Sequence, residues 1–156
     1  MAEAPTAPNF ELILDLGRDT GNAETAWKNR EILAKAYRDM IAGDDQSLVK
    51  LLDPNVVFEE AAGLPYGVKA KGIENTLAGV QGMFGAWSHL RVEISHFAAD
   101  GDVVIAYMTM VATSRATGKI YDGVTAELFR FKNGKIVEWR PIYWDTHAVR
   151  QACGLA

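Results

Sequence analysis

The sequence predicts an α+β fold: a cone-shaped, strongly curved antiparallel sheet wrapped on three N-terminal helices and enclosing an apolar cavity. Three observations predict it. The first half holds segments of helical periodicity, and the second half holds four segments of strand-like alternation. The strands are joined by turn-forming dipeptides, Asp100-Gly101, Thr117-Gly118 and Asn133-Gly134. One sheet cannot bury both faces by itself, so the helices must cover one side. With 156 residues and 49% hydrophobic content, the chain is long enough for one domain with a real core and too short for two.

Residues 1–22 mix Pro, Thr, Asp and Gly around one short apolar run and read as an arm, able to dock a short helix and otherwise mobile. The domain extends over 23–150, and 151–156 form a short tail. Asn22 caps a helix whose apolar stripe is Leu33, Ala36, Tyr37, Met40 and Ile41, ending at Gly43. Asp45 caps a second, short helix through Leu52, which Asp53-Pro54 stops. Residues 56–60 are β-branched, aromatic and acidic and read as a strand. A loop with Gly63, Pro65 and Gly67 leads to a third helix from Ile73, with Leu77, Val80, Phe84 and Trp87 on one face.

That helix carries Gly79, Gly82 and Gly85, each costing roughly 1 kcal/mol relative to alanine. A frayed C-terminal end is the plainer reading; close backbone approach or a lid over a pocket is the sharper one. Strands follow at 90–97, 103–113, 121–131 and 136–145, as a four-stranded meander.

Several classes are excluded or disfavoured by composition. The net charge is −4 with no basic stripe, so nucleic acid is an unsuitable partner. Cys153 is the one cysteine, which rules out an intrachain disulfide and a cysteine-based zinc site. No apolar stretch approaches the roughly 20 residues needed to span a bilayer, and the start lacks a signal-peptide pattern. A cytoplasmic protein with no membrane partner and no metal is expected. No nucleophile triad, phosphate loop or dinucleotide fingerprint is present, so no cofactor is called for.

Two acids stand out. Glu127 lies inside an apolar strand, where an unpaired carboxylate costs several kcal/mol or shifts its pKa upward. Its structural alternative is an ion pair with a neighbouring strand, or an exposed face. On the strand at 56–60, period two places Phe58 and Glu60 on one face and Val57 and Glu59 on the other, and either glutamate can be the outward one. His96 follows Val92 and Ile94 on one strand face and is a candidate second base, against the plainer reading of a core histidine. Asp145, at the end of the last strand, reads first as a cap for the following turn. The aromatics Phe58, Tyr66, Phe84, Trp87, Tyr107, Phe129, Trp139, Tyr143 and Trp144, with Met108 and Met110, suit a flat apolar ligand if they line a pocket. Pro141 predicts a bulge that switches facing between Trp139 and Trp144, so that both indoles line it.

The run from Tyr37 to Asp44, the Pro65-Tyr66-Gly67 and Lys71-Gly72-Ile73-Glu74 segments, and Gly134-Lys135-Ile136 followed by Tyr143-Trp144-Asp145 resemble the nuclear-transport-factor-2-like superfamily, in its SnoaL-like and ketosteroid isomerase-like branch. The resemblance implies that Glu60 points inward as a general base and that Glu127 is a second acid donating to an oxyanion, with Tyr37 and His96 as further catalytic candidates. It also implies a homodimer formed through the outer face of the sheet. Comparison with epoxide hydrolases of the same superfamily places Met108 and Met110 where their strand arginine and aspartate fall, which disfavours that chemistry.

The expected function is a cofactor-independent isomerase or lyase, of dehydratase or cyclase type, acting on a small aromatic or polycyclic apolar substrate. Its alternatives are a non-catalytic binder of small apolar ligands and a protein-interaction module.

Overall fold

Asn22 accepts a hydrogen bond from the backbone N–H of Thr25 and so starts α1 (Ala23–Ile41) in the computed structural model, which describes residues 22–156. The arm expected over 1–22 lies outside the described residues except for this cap. Along α1, Ala26, Asn29, Leu33 and Ala36 are buried and Tyr37 is half-buried, whereas Ile41 at the helix end is exposed.

The helix expected between Asp45 and Leu52 is reduced to one 3-10 turn at Val49–Leu51, and Leu52 already opens β1 (Leu52–Glu60). Proline forces the preceding Asp53 toward extended geometry, which here begins a strand instead of ending a helix. Pro54 is tolerated because the ladder of β1 skips from Leu52 to Val57 around it.

The short β2 (Val68–Lys71), not foreseen, pairs antiparallel with β1 from Glu60↔Val68 to Val57↔Lys71. The helix α2 (Ile73–Ala86) runs unbroken through all three glycines, so the frayed-end reading does not hold. At Gly79 a Cβ would lie 3.0 Å from Phe58 Cε1 and from Val68 Cγ1: this glycine lets α2 approach β1 and β2 closely. Its buried face is therefore Thr76 and Gly79, while Phe84 turns outward and Trp87 already belongs to β3 (Trp87–Asp100).

The meander follows as expected: β3, β4 (Val103–Ser114), β5 (Ile120–Lys132) and β6 (Lys135–Tyr143). At the last turn Asn133 and Gly134 have φ of 51° and 75°, the left-handed pair a type I′ hairpin needs. Asp145 accepts from the backbone N–H of Ala148 and caps α3 (Thr146–Ala152). Among the described residues the fold is thus α+β with three helices, the third at the C-terminal end and not among the N-terminal ones.

The six strands form one open sheet in the order β2-β1-β6-β5-β4-β3, with β1 parallel to β6 and every other pair antiparallel. Register shifts near Ser95 in β3 and near Val137 in β6 mark bulges, which add local twist and bend. Two apolar clusters lie on the inner face. One gathers Leu33, Phe58, Met108, Phe129 and Trp139, and the other gathers Tyr66, Trp87, Met110, Tyr121 and Val149.

Candidate active site

Strand alternation settles which glutamate of β1 faces inward. Val56, Phe58 and Glu60 are buried in alternation, and Glu60 is 3% exposed. Glu59, on the opposite face, forms an ion pair with Arg140 at 3.0 Å. For Glu60 no such partner exists among the described residues: its Oε2 is buried without a hydrogen bond. Burial first, and the charge of Glu127 second, push its pKa up to about 8.

On β5, Glu127 faces the same interior. Tyr37 reaches it from α1, its hydroxyl donating to Glu127 Oε2 at 2.6 Å. Both side chains are half-buried by accessible area, yet enough protein surrounds them that burial is the largest cause raising each pKa. The Tyr37 hydrogen bond acts against burial at Glu127. The buried indole N–H of Trp139 also favours the charged Glu127, although it forms no geometrically sound hydrogen bond.

A tyrosine pair adjoins the acids. The Tyr66 hydroxyl donates to that of Tyr143 at 3.0 Å, and burial chiefly raises both pKa values, with the charge of Glu60 adding to each. Tyr143, expected only as one of the aromatics near the cavity, thus joins Tyr66 beside the acids. It lies two pleats beyond Trp139 on the same face of β6.

Among the remaining expected residues, Phe58 (1% exposed) and Phe129 (0%) are core, the first edge-on to Trp139 at 5.0 Å and the second stacked on it at 5.5 Å between centroids. Met108, Met110 and Trp87 are buried on the inner face, and Tyr66 packs edge-on to Trp87. Four expectations are corrected. His96 is exposed, its Nδ1 beside Ser95 Oγ and its ring against Tyr107, because the bulge at Ser95 reverses the parity carried from Val92 and Ile94. Tyr107 shares that outer face. Trp144 is 87% exposed, since the β5–β6 register runs unbroken through Pro141 and the irregularity falls near Val137. Phe84 is 49% exposed on the outer side of α2. Pro141 itself lies past the last β1–β6 pair, Phe58↔Trp139, where a missing N–H on that side disrupts no ladder.

Two open grooves lie away from the acids. One of about 750 Å³ runs between Ile120, His147 and Leu155, and one of about 430 Å³ runs between β2 and α2, touching the site only at Tyr66. Among the described residues no three His, Cys, Asp or Glu side chains group as a metal site requires, and no helix is long and apolar enough to cross a membrane.

Comparison with solved structures returns the same architecture. An NTF2-like protein from Burkholderia thailandensis E264 is 26% identical, with a TM-score of 0.72 over 80% of this chain and 95% of that one. A protein from Jannaschia sp. CCS1, bearing the name SnoaL-like polyketide cyclase, is 17% identical with a TM-score of 0.70 over 88% and 99%. TerC, crystallised with polyporic acid, is 19% identical with a TM-score of 0.69 over 81% and 98%. A search of curated proteins finds no match. The SnoaL-like domain profile matches residues 33–139, which span α1 from Leu33 through most of β6 and include both inward-facing glutamates. On that match and this fold, the chain belongs to the SnoaL-like domain family of the nuclear-transport-factor-2-like superfamily.

Proposed function

We propose that this chain is a cofactor-independent acid-base enzyme, of isomerase or lyase type, acting on a small aromatic or polycyclic apolar substrate held against the inner face of the sheet. The observation that carries the reading is Glu60, a buried carboxyl with an unpartnered oxygen and a pKa of about 8, charge-coupled to a second inward carboxyl. An acid kept for structure alone would be paired, as Glu59 is with Arg140. The names of two fold relatives, a polyketide cyclase and a protein crystallised with polyporic acid, accord with a small-molecule substrate.

Below about pH 8 the two carboxyls hold a single negative charge between them, and the Tyr37 hydrogen bond favours its place on Glu127. Ionised Glu60 takes a proton from a carbon or hydroxyl of the substrate. The Tyr66–Tyr143 hydroxyl pair, which burial keeps protonated, donates to the oxygen on which charge develops. Return of the proton to another carbon yields an isomer; departure of a leaving group yields an elimination product; attack of the carbanion on an internal carbonyl closes a ring. Each positioned acid or base contributes about 10²–10⁴-fold. The assembly partner is a second copy of the chain, for the outer face of β4 to β6 exposes Ile105, Tyr107, Val111 and Ile142.

The test incubates the protein in heavy water, without added cofactor, with aryl, steroid and terpenoid compounds, and follows their masses. Deuterium uptake, isomerisation or fragment loss that disappears in Glu60→Gln supports the reading. Compounds that bind and return unchanged throughout would make the chain a binding protein instead.

A further inference from the structure

Besides the acid pair, the inner face of β5 carries two buried hydroxyls that no described protein group answers. Tyr121 is 2% and Thr125 3% exposed, and neither hydroxyl oxygen has a hydrogen-bond partner. Leaving such a group unmatched is costly, because nothing repays its desolvation. The position of the first also requires a glycine: a Cβ at Gly123 would overlap the Tyr121 hydroxyl and ring carbons. Glycine weakens a strand interior, so its presence here serves the tyrosine.

The Tyr121 ring lies along the strand over Gly123 and is stacked on Trp87, with centroids 6.2 Å apart and planes at 29°. Burial, then the carboxylates of Asp145 and Asp122, raise its pKa, so the hydroxyl stays protonated and can donate. Thr125 follows on the same face about 7 Å beyond Gly123, and Glu127 about 7 Å beyond that. One oxygen atom that accepts two hydrogen bonds of about 2.8 Å spans up to about 5.6 Å, so the Thr125 hydroxyl reaches it by leaning along the strand toward Gly123.

The row through Gly123 runs out to the edge strand β3. Val92, Met110 and Gly123 form one row across β3, β4 and β5. Met110 is buried, but Val92 is 45% exposed, although it lies on the inner face between Leu90 and Ile94.

We infer that Tyr121 and Thr125 form a distal subsite that binds a carbonyl oxygen of the substrate, on the side of its ring scaffold away from Glu60 and Glu127. The inference rests on the acid-base reading for where the reacting end lies. Two hydroxyls that both donate match the two lone pairs of a carbonyl. Tyr121 and Thr125 thereby determine which ring systems are accepted, and Gly123 is a positioning residue.

The probes are 9-fluorenone and fluorene, tricycles that differ by one carbonyl oxygen, titrated against the full chain by quenching of tryptophan fluorescence. The native chain prefers fluorenone at least about fivefold. Tyr121→Phe and Thr125→Val each lower fluorenone affinity about three- to tenfold, as loss of one hydrogen bond requires, and leave fluorene affinity unchanged. Having two independent variants guards against one that folds poorly. Equal affinity for the two probes, binding of neither, or native fluorenone affinity in both variants overturns the subsite. If Glu60→Gln alone abolishes the preference, the carbonyl sits at the acid pair and the subsite is overturned while the acid-base reading stands. If the preference follows Tyr121 and Thr125 while Glu60→Gln leaves deuterium exchange untouched, the subsite stands and the acid-base reading fails.

Discussion

Tyr37 donates a 2.6 Å hydrogen bond to Oε2 of Glu127, 90 residues away in sequence, and ties α1 to β5 across the interior. The ring also packs against Phe97 and Phe129, contacts that phenylalanine keeps. Tyr37→Phe therefore costs about 1 kcal/mol or less in stability. It raises the Glu127 pKa further, because the hydrogen bond that opposed burial is gone, and it lowers turnover about 10–100-fold. Steady-state kinetics alongside thermal melting check this; native turnover would remove Tyr37 from the site.

Glu60 links activity and stability to pH in opposite directions. Its pKa rises from 4.5 to about 8, through burial and then the Glu127 charge. Turnover climbs as pH passes about 8 and the carboxylate forms. The folded state holds this proton more tightly than the unfolded chain, so its stabilisation is complete below pH 4.5 and is lost as pH rises through about 8. The melting midpoint accordingly falls between pH 5 and 9, and Glu60→Gln flattens that slope. Identical slopes in the two proteins would place the titration elsewhere.

The glycines of α2 separate by environment. Gly79→Ala sets a methyl 3.0 Å from Phe58, which Trp139 backs at 5.0 Å between centroids and which cannot yield. We expect a net loss of about 1–3 kcal/mol despite the gain in helix propensity. Gly85 has nothing within 4 Å of its Cβ position, so Gly85→Ala gains up to about 1 kcal/mol. Urea unfolding of the two variants decides it, and loss at both positions would contradict the assignment.

The outer sheet face offers a test of assembly. Tyr107, Ala126 and Ile142 stand in one row across β4, β5 and β6, and Tyr107 and Ile142 are 44% and 50% exposed. A charge introduced by Tyr107→Glu is expected to convert the proposed dimer to a monomer with an unchanged far-ultraviolet spectrum. Light scattering reads the mass, and a native chain that is already monomeric at micromolar concentration would dismiss the interface.

How much of this was legible in the sequence depends on how local each signal is. The meander was, because alternation and the turn dipeptides lie within each strand and hairpin. β2 was not: Val68-Lys69-Ala70-Lys71 has no strong strand composition, and its pairing is decided by the edge of β1. Glu60 faces inward as expected because its end of β1 keeps strict alternation. His96 and Trp144 do not, since a bulge at Ser95 and its absence at Pro141 are settled by cross-strand register, which one strand's residues do not encode. Phe84 was misplaced for a related reason: the close approach at Gly79 sets which side of α2 is buried.

The parallel pairing of β1 with β6 gives the domain an order of assembly. Leu52 lies beside Ile136 and Phe58 beside Trp139, whereas the hairpins of β3 to β6 close over short spans. Closing the longer loop carries the greater entropic cost, so the hairpins can zip before β1 docks. Glu127 arrives with the hairpins and Glu60 only with β1. A chain halted short of that last docking holds one carboxyl of the proposed acid pair and lacks the other, so the proposed chemistry would wait for that docking.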